Sequence, residues 1–168
     1  MSNASRQADH EFLQRAIEIS RRALEGEGKT PFGSIVVLAG EIIGEGTSSV
    51  VELRDPTAHA EVMALRDAGS RTGTHLFTGG TMYASSEPCP MCLVACYWAR
   101  LDRVVFGATS HDVATYGFED LQLYRELTYP APRRSIREEV ISGQMREQAV
   151  SVLRSWADKL PTPVDPKY

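Results

Sequence analysis

Pro88-Cys89-Pro90-Met91-Cys92, read together with His59-Ala60-Glu61, decides how this chain is organised. Cys89 and Cys92 are spaced so that their sulfurs converge on one ion from a loop and a first helical turn. His59 supplies a nitrogen from a second helix start. Pro90 fits the first turn of a helix, where a missing N–H does no harm. Two helices aiming their N-termini at one place create positive potential there, which favours thiolate, the form that binds zinc. Three protein ligands leave a fourth position for water, and Glu61 is then free to move that water's protons. The expectation is zinc-dependent hydrolytic chemistry on a small polar substrate.

A purely structural zinc site needs a fourth ligand. Cys96 lies one turn beyond Cys92, but three cysteines at those spacings would strain a tetrahedron. Cys96 sits among Leu93, Val94, Ala95 and Trp98 and reads as a packed core thiol. His10, His75 and His111 have no flanking ligand pattern and read as surface or core residues. Glu61 would also suit a first helical turn as an acid complementing the dipole. Its spacing from His59 favours the proton-shuttle role. A lone CxxC is a weak signal, whereas HxE before a helical run and PCxxC after a strand together form a strong one.

Outward from these fragments, Thr81 to Ser85 reads as a short apolar strand and Arg103 to Ala108 as another, with a helix from Pro90 to about Ala99 between them. Asp55-Pro56-Thr57 is a turn into a helix from about Ala58 to Ala68. Ser34 to Ala39 and Glu41 to Gly46 form a hairpin turning at Gly40. Asp9 to Leu24 is an amphipathic helix with Asp9 as N-cap, stopped by Glu25-Gly26-Glu27-Gly28. Val113 to Phe118 reads as a loop, followed by a short segment at Ile136 to Val140 and a helix from Gly143 to Leu160. The tail from Pro161 to Tyr168 has too many prolines to be helical. Met1 to Ala4 reads as an expression-tag remnant, leaving a single domain over 5–160. The element order predicts an α/β fold, one sheet with helices on both faces.

A chain of 168 residues, 42% hydrophobic, suffices for one sizeable core. No apolar run approaches the roughly 18 residues of a membrane span, and no charged-then-apolar leader opens the chain. Three cysteines, two in a CxxC, suit a reducing, cytoplasmic setting. The formal net charge of −4 argues against a polyanionic partner, because phosphate binding needs a basic stripe. Arg133, Arg134 and Arg137 form the densest basic cluster and read as a solvated face.

With these residues in place the chain resembles the cytidine-deaminase-like superfamily, whose zinc signature is HxE followed by PCxxC. Within it, the bacterial guanine deaminase group is the match. The shared stretches are Pro31-Phe32-Gly33, Asp55 to Glu61, Glu87 to Cys92, Tyr97-Trp98-Ala99-Arg100 and Gly117-Phe118-Glu119-Asp120. Pro90 and the Tyr97 to Arg100 run resemble that group, whereas tRNA adenosine deaminases more often carry a small residue at position 90. The resemblance implies a three-layer α/β/α sandwich with a mixed five-stranded sheet. It implies His59, Cys89 and Cys92 as zinc ligands and Glu61 as general acid/base. It also implies a base pocket lined by Phe32 and Trp98, with the Ala60 N–H and Asp120 reading polar edges of the base. The group carries an Asn after the second strand, where this chain has Ser48. Serine offers one hydroxyl in place of an amide's donor–acceptor pair, which opens the substrate to another aminopurine, a nucleoside, a pterin or an aminotriazine. The resemblance further implies a homodimer in which the C-terminal Tyr168 caps a partner subunit's site. A tRNA adenosine deaminase and a non-catalytic zinc scaffold are the alternative readings.

Overall fold

The computed structural model describes residues 3–25 and 29–162. The chain divides into two compact units, Met1–Thr128 and Tyr129–Tyr168.

The first unit opens with α1 (Asn3–Arg21), followed by a 3-10 turn at Arg22–Glu25. Asp9 is therefore inside the helix, not at its cap. No helix breaker precedes it in Ser5-Arg6-Gln7-Ala8, so the helix continues upstream. Its carboxylate is engaged elsewhere: it accepts from the Tyr83 hydroxyl at 2.7 Å and from the Arg103 guanidinium at 3.0 and 3.2 Å. Gly26 to Gly28 lie outside the described residues.

The hairpin comes next, β1 (Gly33–Leu38) and β2 (Glu41–Thr47). Ala39 and Gly40 join them with φ of 52° and 84°. Positive φ at both turn residues matches the right-handed twist of the strands. A short helix, α2 (Val50–Leu53), precedes α3 (Ala60–Thr72), which is N-capped by His59 and ends at Gly73. Then come β3 (Thr81–Ser86), α4 (Pro90–Trp98) and β4 (Arg103–Ala108), each within a residue or so of its expected bounds. The segment read as a loop from Val113 begins inside α5 (Ser110–Ala114), and α6 (Asp120–Thr128) follows it. Thr109 and Asp112 cap α5 reciprocally.

The sheet has the order β2-β1-β3-β4. β1 runs antiparallel to both β2 and β3, while β3 and β4 are parallel and joined by the α4 crossover. The sheet is mixed, as expected, but has four strands among the described residues, not five. The strand alternation sends Ile35, Val37 and Tyr83 to one face, against Ala16 and Ile19 of α1. Val36 and Met82 face the other side, against Ala64 and Ala68 of α3 and Cys96 of α4. Helices cover both faces, and each buried Ile or Val contributes about 1.5–3 kcal/mol. Cys96 is the core thiol that the sequence suggested, 3% exposed, its pKa pushed up to about 12 by burial.

Glycines in β2 set how closely α3 approaches. A Cβ at Gly46 would stand 2.1 Å from the Ala60 carbonyl oxygen, and one at Gly44 2.3 Å from that of Ala64. The start of α3 therefore rests directly on the β2 backbone. On the other face, the Arg15 guanidinium grips the Glu45 carboxylate at 2.8 and 2.9 Å and fastens α1 to β2.

The second unit contains a 3-10 turn at Ala131–Arg133 and α7 (Gln144–Ala157). Ile136 to Val140 forms no strand, and Ile136 and Val140 are exposed. Its neighbour Arg134 donates to the Tyr129 carbonyl at 3.0 Å and to Glu138 at 2.6 Å, which folds the segment on itself. Arg137 pairs with Glu139, and Arg133 lies over the Tyr129 ring. The basic cluster thus has local partners. Among the described residues no helix is long and apolar enough to cross a membrane.

Candidate active site

The two helix starts named by the sequence meet at one end of the sheet. Thr57 donates its N–H and hydroxyl to the Asp55 carboxylate at 2.8 and 2.6 Å, a local turn that delivers the chain to His59. These bonds hold the Asp55 carboxyl below its usual range. His59 is extended (φ −68°, ψ 156°) and caps α3. Cys89 is extended in the same way (φ −63°, ψ 167°) and caps α4, with Pro90 in the first turn. The Tyr124 hydroxyl of α6 donates to the Pro88 carbonyl at 2.7 Å and steadies the cysteine loop from outside.

The ligating atoms of His59, Cys89 and Cys92 all lie within 4.8 Å of one another, and His59 Nδ1 is 3.6 Å from Cys89 Sγ. Tetrahedral zinc with ordinary Zn–N and Zn–S distances places such a pair about 3.6 Å apart. The donor set therefore fits zinc in both chemistry and spacing. Among the described residues no fourth His, Cys, Asp or Glu joins this group. That is the composition of a catalytic site, with a position left open, and not of a closed structural one.

The electrostatics agree. Hydrogen bonding from the Cys92 thiol, helped by His59, pulls the Cys89 pKa down to about 4. Cys92 is raised by holding that shared proton and by burial, and His59 is raised by its contact with Cys89. Glu61, the second residue of α3, is 5% exposed, and burial pushes its pKa up to about 7. Asp120, at the start of α6, is raised by burial and by the neighbouring Cys89 charge.

A cavity of about 200 Å³ opens over this centre. His59, Cys89, Glu61, Phe32, Ser48, Ala60 and Asp120 line it, all singled out by the sequence. Trp98 does not. It ends α4, is 67% exposed, and is absent from the lining, so the aromatic partner of Phe32 is a different residue. That partner is Phe118, packed edge-to-face on Phe32 with centroids 4.7 Å apart. Nothing in the sequence around Phe118 beyond its place in the Gly117 to Asp120 run marks it for this role. Glu87, beside the cysteine motif, also lines the cavity, and its carboxylate accepts the Ser110 N–H at 2.7 Å. Thr30 is the third residue that the sequence reading missed. Its hydroxyl donates to Ser48 Oγ at 2.5 Å, a contact no local pattern announces. Tyr168 lies outside the described residues. Among the described residues, three carboxylates and no Lys or Arg line the cavity.

Comparison with known proteins agrees with this geometry. Residues 6–108 match the cytidine and deoxycytidylate deaminase zinc-binding region. A guanine deaminase of Bacillus subtilis is 43% identical over 129 residues, covering 76% of this chain and 83% of that protein. A tRNA-specific adenosine deaminase of Haemophilus influenzae is 32% identical over 157 residues, covering 90% of this chain and 84% of that protein. The crystal structure of a Bacillus subtilis guanine deaminase superposes with a TM-score of 0.83 at 34% identity, covering 98% of this chain and 99% of that one. Three thiol and imidazole donors at zinc spacing, a buried acid beside them and these likenesses lead to one conclusion: the chain belongs to the zinc-binding cytidine and deoxycytidylate deaminase family and is a hydrolytic deaminase.

Proposed function

We propose that the substrate is a free nucleobase or similar amino-heterocycle, with guanine, converted to xanthine and ammonia, as the reference. The observation that carries this reading is the cavity itself. Its 200 Å³ is the liquid volume of about six or seven waters, room for one planar ring system. Among the described residues its walls offer acids, hydroxyls and the Phe32–Phe118 pair, but no cationic side chain for a phosphate.

His59, Cys89 and Cys92 would hold the zinc, which when bound would supply Lewis acidity that activates water near neutral pH. Phe32 and Phe118 keep the ring flat over the acid, an orientation effect. Ala60 is the first residue of α3, where the backbone N–H has no helical partner and can donate to the ring. Asp120 accepts from a ring N–H. Glu61 takes a proton from the attacking water and passes it to the ring nitrogen next to the amine-bearing carbon. The hydroxyl adds to that carbon. Glu61 then carries the hydroxyl proton to the amine, the C–N bond breaks, and ammonia leaves an oxo-base. An acid with a pKa near 7 can both take and give a proton at neutral pH.

The likeness to tRNA-specific adenosine deaminases favours a second reading, a base within a tRNA loop. The acidic cavity and the net charge of −4 count against it. Ammonia release from guanine, guanosine, cytosine, adenine, 8-oxoguanine, ammeline and pterins, run beside a tRNA anticodon stem-loop, separates the two. Turnover of the stem-loop alone would overturn the free-base reading. We place the enzyme in the cytoplasm as a homodimer. Val94, Tyr97 and Trp98 give α4 an exposed apolar face of the kind that mediates association. Light scattering reads the assembly directly.

A further inference from the structure

We propose that Thr30 and Ser48 act as one reading unit that selects substrates presenting a lone pair, a ring nitrogen or an oxo group, to this wall of the cavity. The inference rests on the free-base reading above and deepens it. Both residues line the cavity, Ser48 is 3% exposed, and their hydroxyl oxygens are 2.5 Å apart. Each is fixed by backbone: Phe32 N–H donates to the Thr30 carbonyl at 2.8 Å, and Ser48 N–H to the Phe32 carbonyl at 3.1 Å. Two hydroxyls carry two protons between them. One is spent inside the pair, whichever residue donates. The other is left for the cavity. A buried donor without a partner costs more than an unused lone pair, so the pair calls for an acceptor on the ligand.

The same contact explains why a larger side chain does not fit at position 48. An amide there would extend two heavy atoms past the present Ser48 Oγ. Thr30 Oγ1 already stands 2.5 Å from that atom. Thr30 therefore fills the space an amide would use and fixes the hydroxyl that replaces it. Thr30 acts through Ser48 as a positioning residue, and Ser48 does the reading.

The test compares kcat/KM for guanine, 7-deazaguanine (the N7 lone pair replaced by C–H) and 2-aminopurine (no 6-oxo group). One neutral hydrogen bond lost with its partner left buried is worth about tenfold. The wild type should disfavour one analogue by about that factor. In Ser48→Ala and Thr30→Val the ratio should collapse to within about threefold, while Thr30→Ser keeps it. Ser48→Asn alone should lose most turnover, and Thr30→Gly with Ser48→Asn should recover part of it. A purely structural role would lower all three rates together and leave the ratios alone. Ratios unchanged in Ser48→Ala and Thr30→Val, or no discrimination by the wild type, would overturn the proposal. Should no base release ammonia, calorimetric binding of the same three bases to zinc-loaded Glu61→Gln distinguishes the failures. Discrimination that Ser48→Ala abolishes would sustain the pair and sink only the deaminase substrate. Absence of binding to all three would sink both.

Discussion

Gly46 of β2 and Ala60 of α3 are in backbone contact: a Cβ on the glycine would stand 2.1 Å from the alanine carbonyl oxygen. Ala60 lies between His59 and Glu61, so whatever sets its depth also sets the metal centre. Neither the strand nor the first turn of α3 can give locally, because Ala60 and Ala64 are fully buried. Gly46→Ala should push α3 off the sheet, cost about 2–4 kcal/mol and lower the melting temperature by roughly 5–15 °C. Calorimetry with and without zinc checks this. A variant that melts within a degree of wild type would refute the contact as a determinant.

Tyr124 reaches from α6 to the Pro88 carbonyl, one residue before the first cysteine. Burial and the acidic surroundings push its phenol up to about 12, so it remains a donor through the physiological range. Tyr124→Phe removes the hydroxyl and keeps the ring. The expected cost is about 1 kcal/mol of stability and a zinc affinity several-fold weaker, since a buried carbonyl loses its donor and the loop loses a tether. Competition with a chromogenic chelator measures the second effect. Unchanged affinity would place the loop's stiffness elsewhere.

Which parts of this were readable beforehand follows from how local the cause is. His59 and Cys89 are helix caps marked by Pro56, Pro90 and ligand spacing, all within a few residues, and the strands between them follow apolar runs. The α5 helix is also marked locally, by its Thr109–Asp112 box, but it is only five residues long and carries no helical apolar periodicity. Phe118, Glu87 and Thr30 join the cavity through contacts with Phe32, Ser110 and Ser48, all distant in sequence. Spacing carries no record of such pairs. Trp98 is the opposite case: a residue of the shared run that stands at the end of α4, is 67% exposed and does not line the cavity.

Glu61 yields a two-part prediction. With zinc retained at one per chain, Glu61→Gln should lower kcat by at least about 100-fold, the range for losing a positioned proton carrier. Turnover near wild type would remove it from the mechanism. Stability of the metal-free protein should move the other way. The folded-state pKa near 7 is raised above the ordinary 4.5, so stability is fully present below pH 4.5 and is lost as pH rises through 7. The glutamine cannot ionise and escapes that loss. Metal-free Glu61→Gln should therefore match wild type near pH 4 and melt a few degrees higher at pH 8. Equal melting at pH 8 would show that the acid is not desolvated.

Asp9 gives the opposite sign. Its carboxylate accepts from Arg103 and Tyr83, and the Arg103 guanidinium foremost holds its pKa below 3.8. A depressed folded-state pKa contributes stability that is fully present above pH 3.8 and disappears as pH falls through the lower folded value. Asp9 is 16% exposed and Arg103 39%, so solvent screens part of the pair, and its worth is about 1–2 kcal/mol. Asp9→Asn keeps a carbonyl for the Tyr83 hydroxyl and removes only the charge. It should melt about 3–6 °C below wild type at pH 7, and the gap should close as the pH is taken below 3.8. Comparing the two proteins at each pH cancels every other titrating group. The slope of the difference thus reports this carboxylate alone, and a gap independent of pH would mean that α1 is held to β3 and β4 by packing and not by charge.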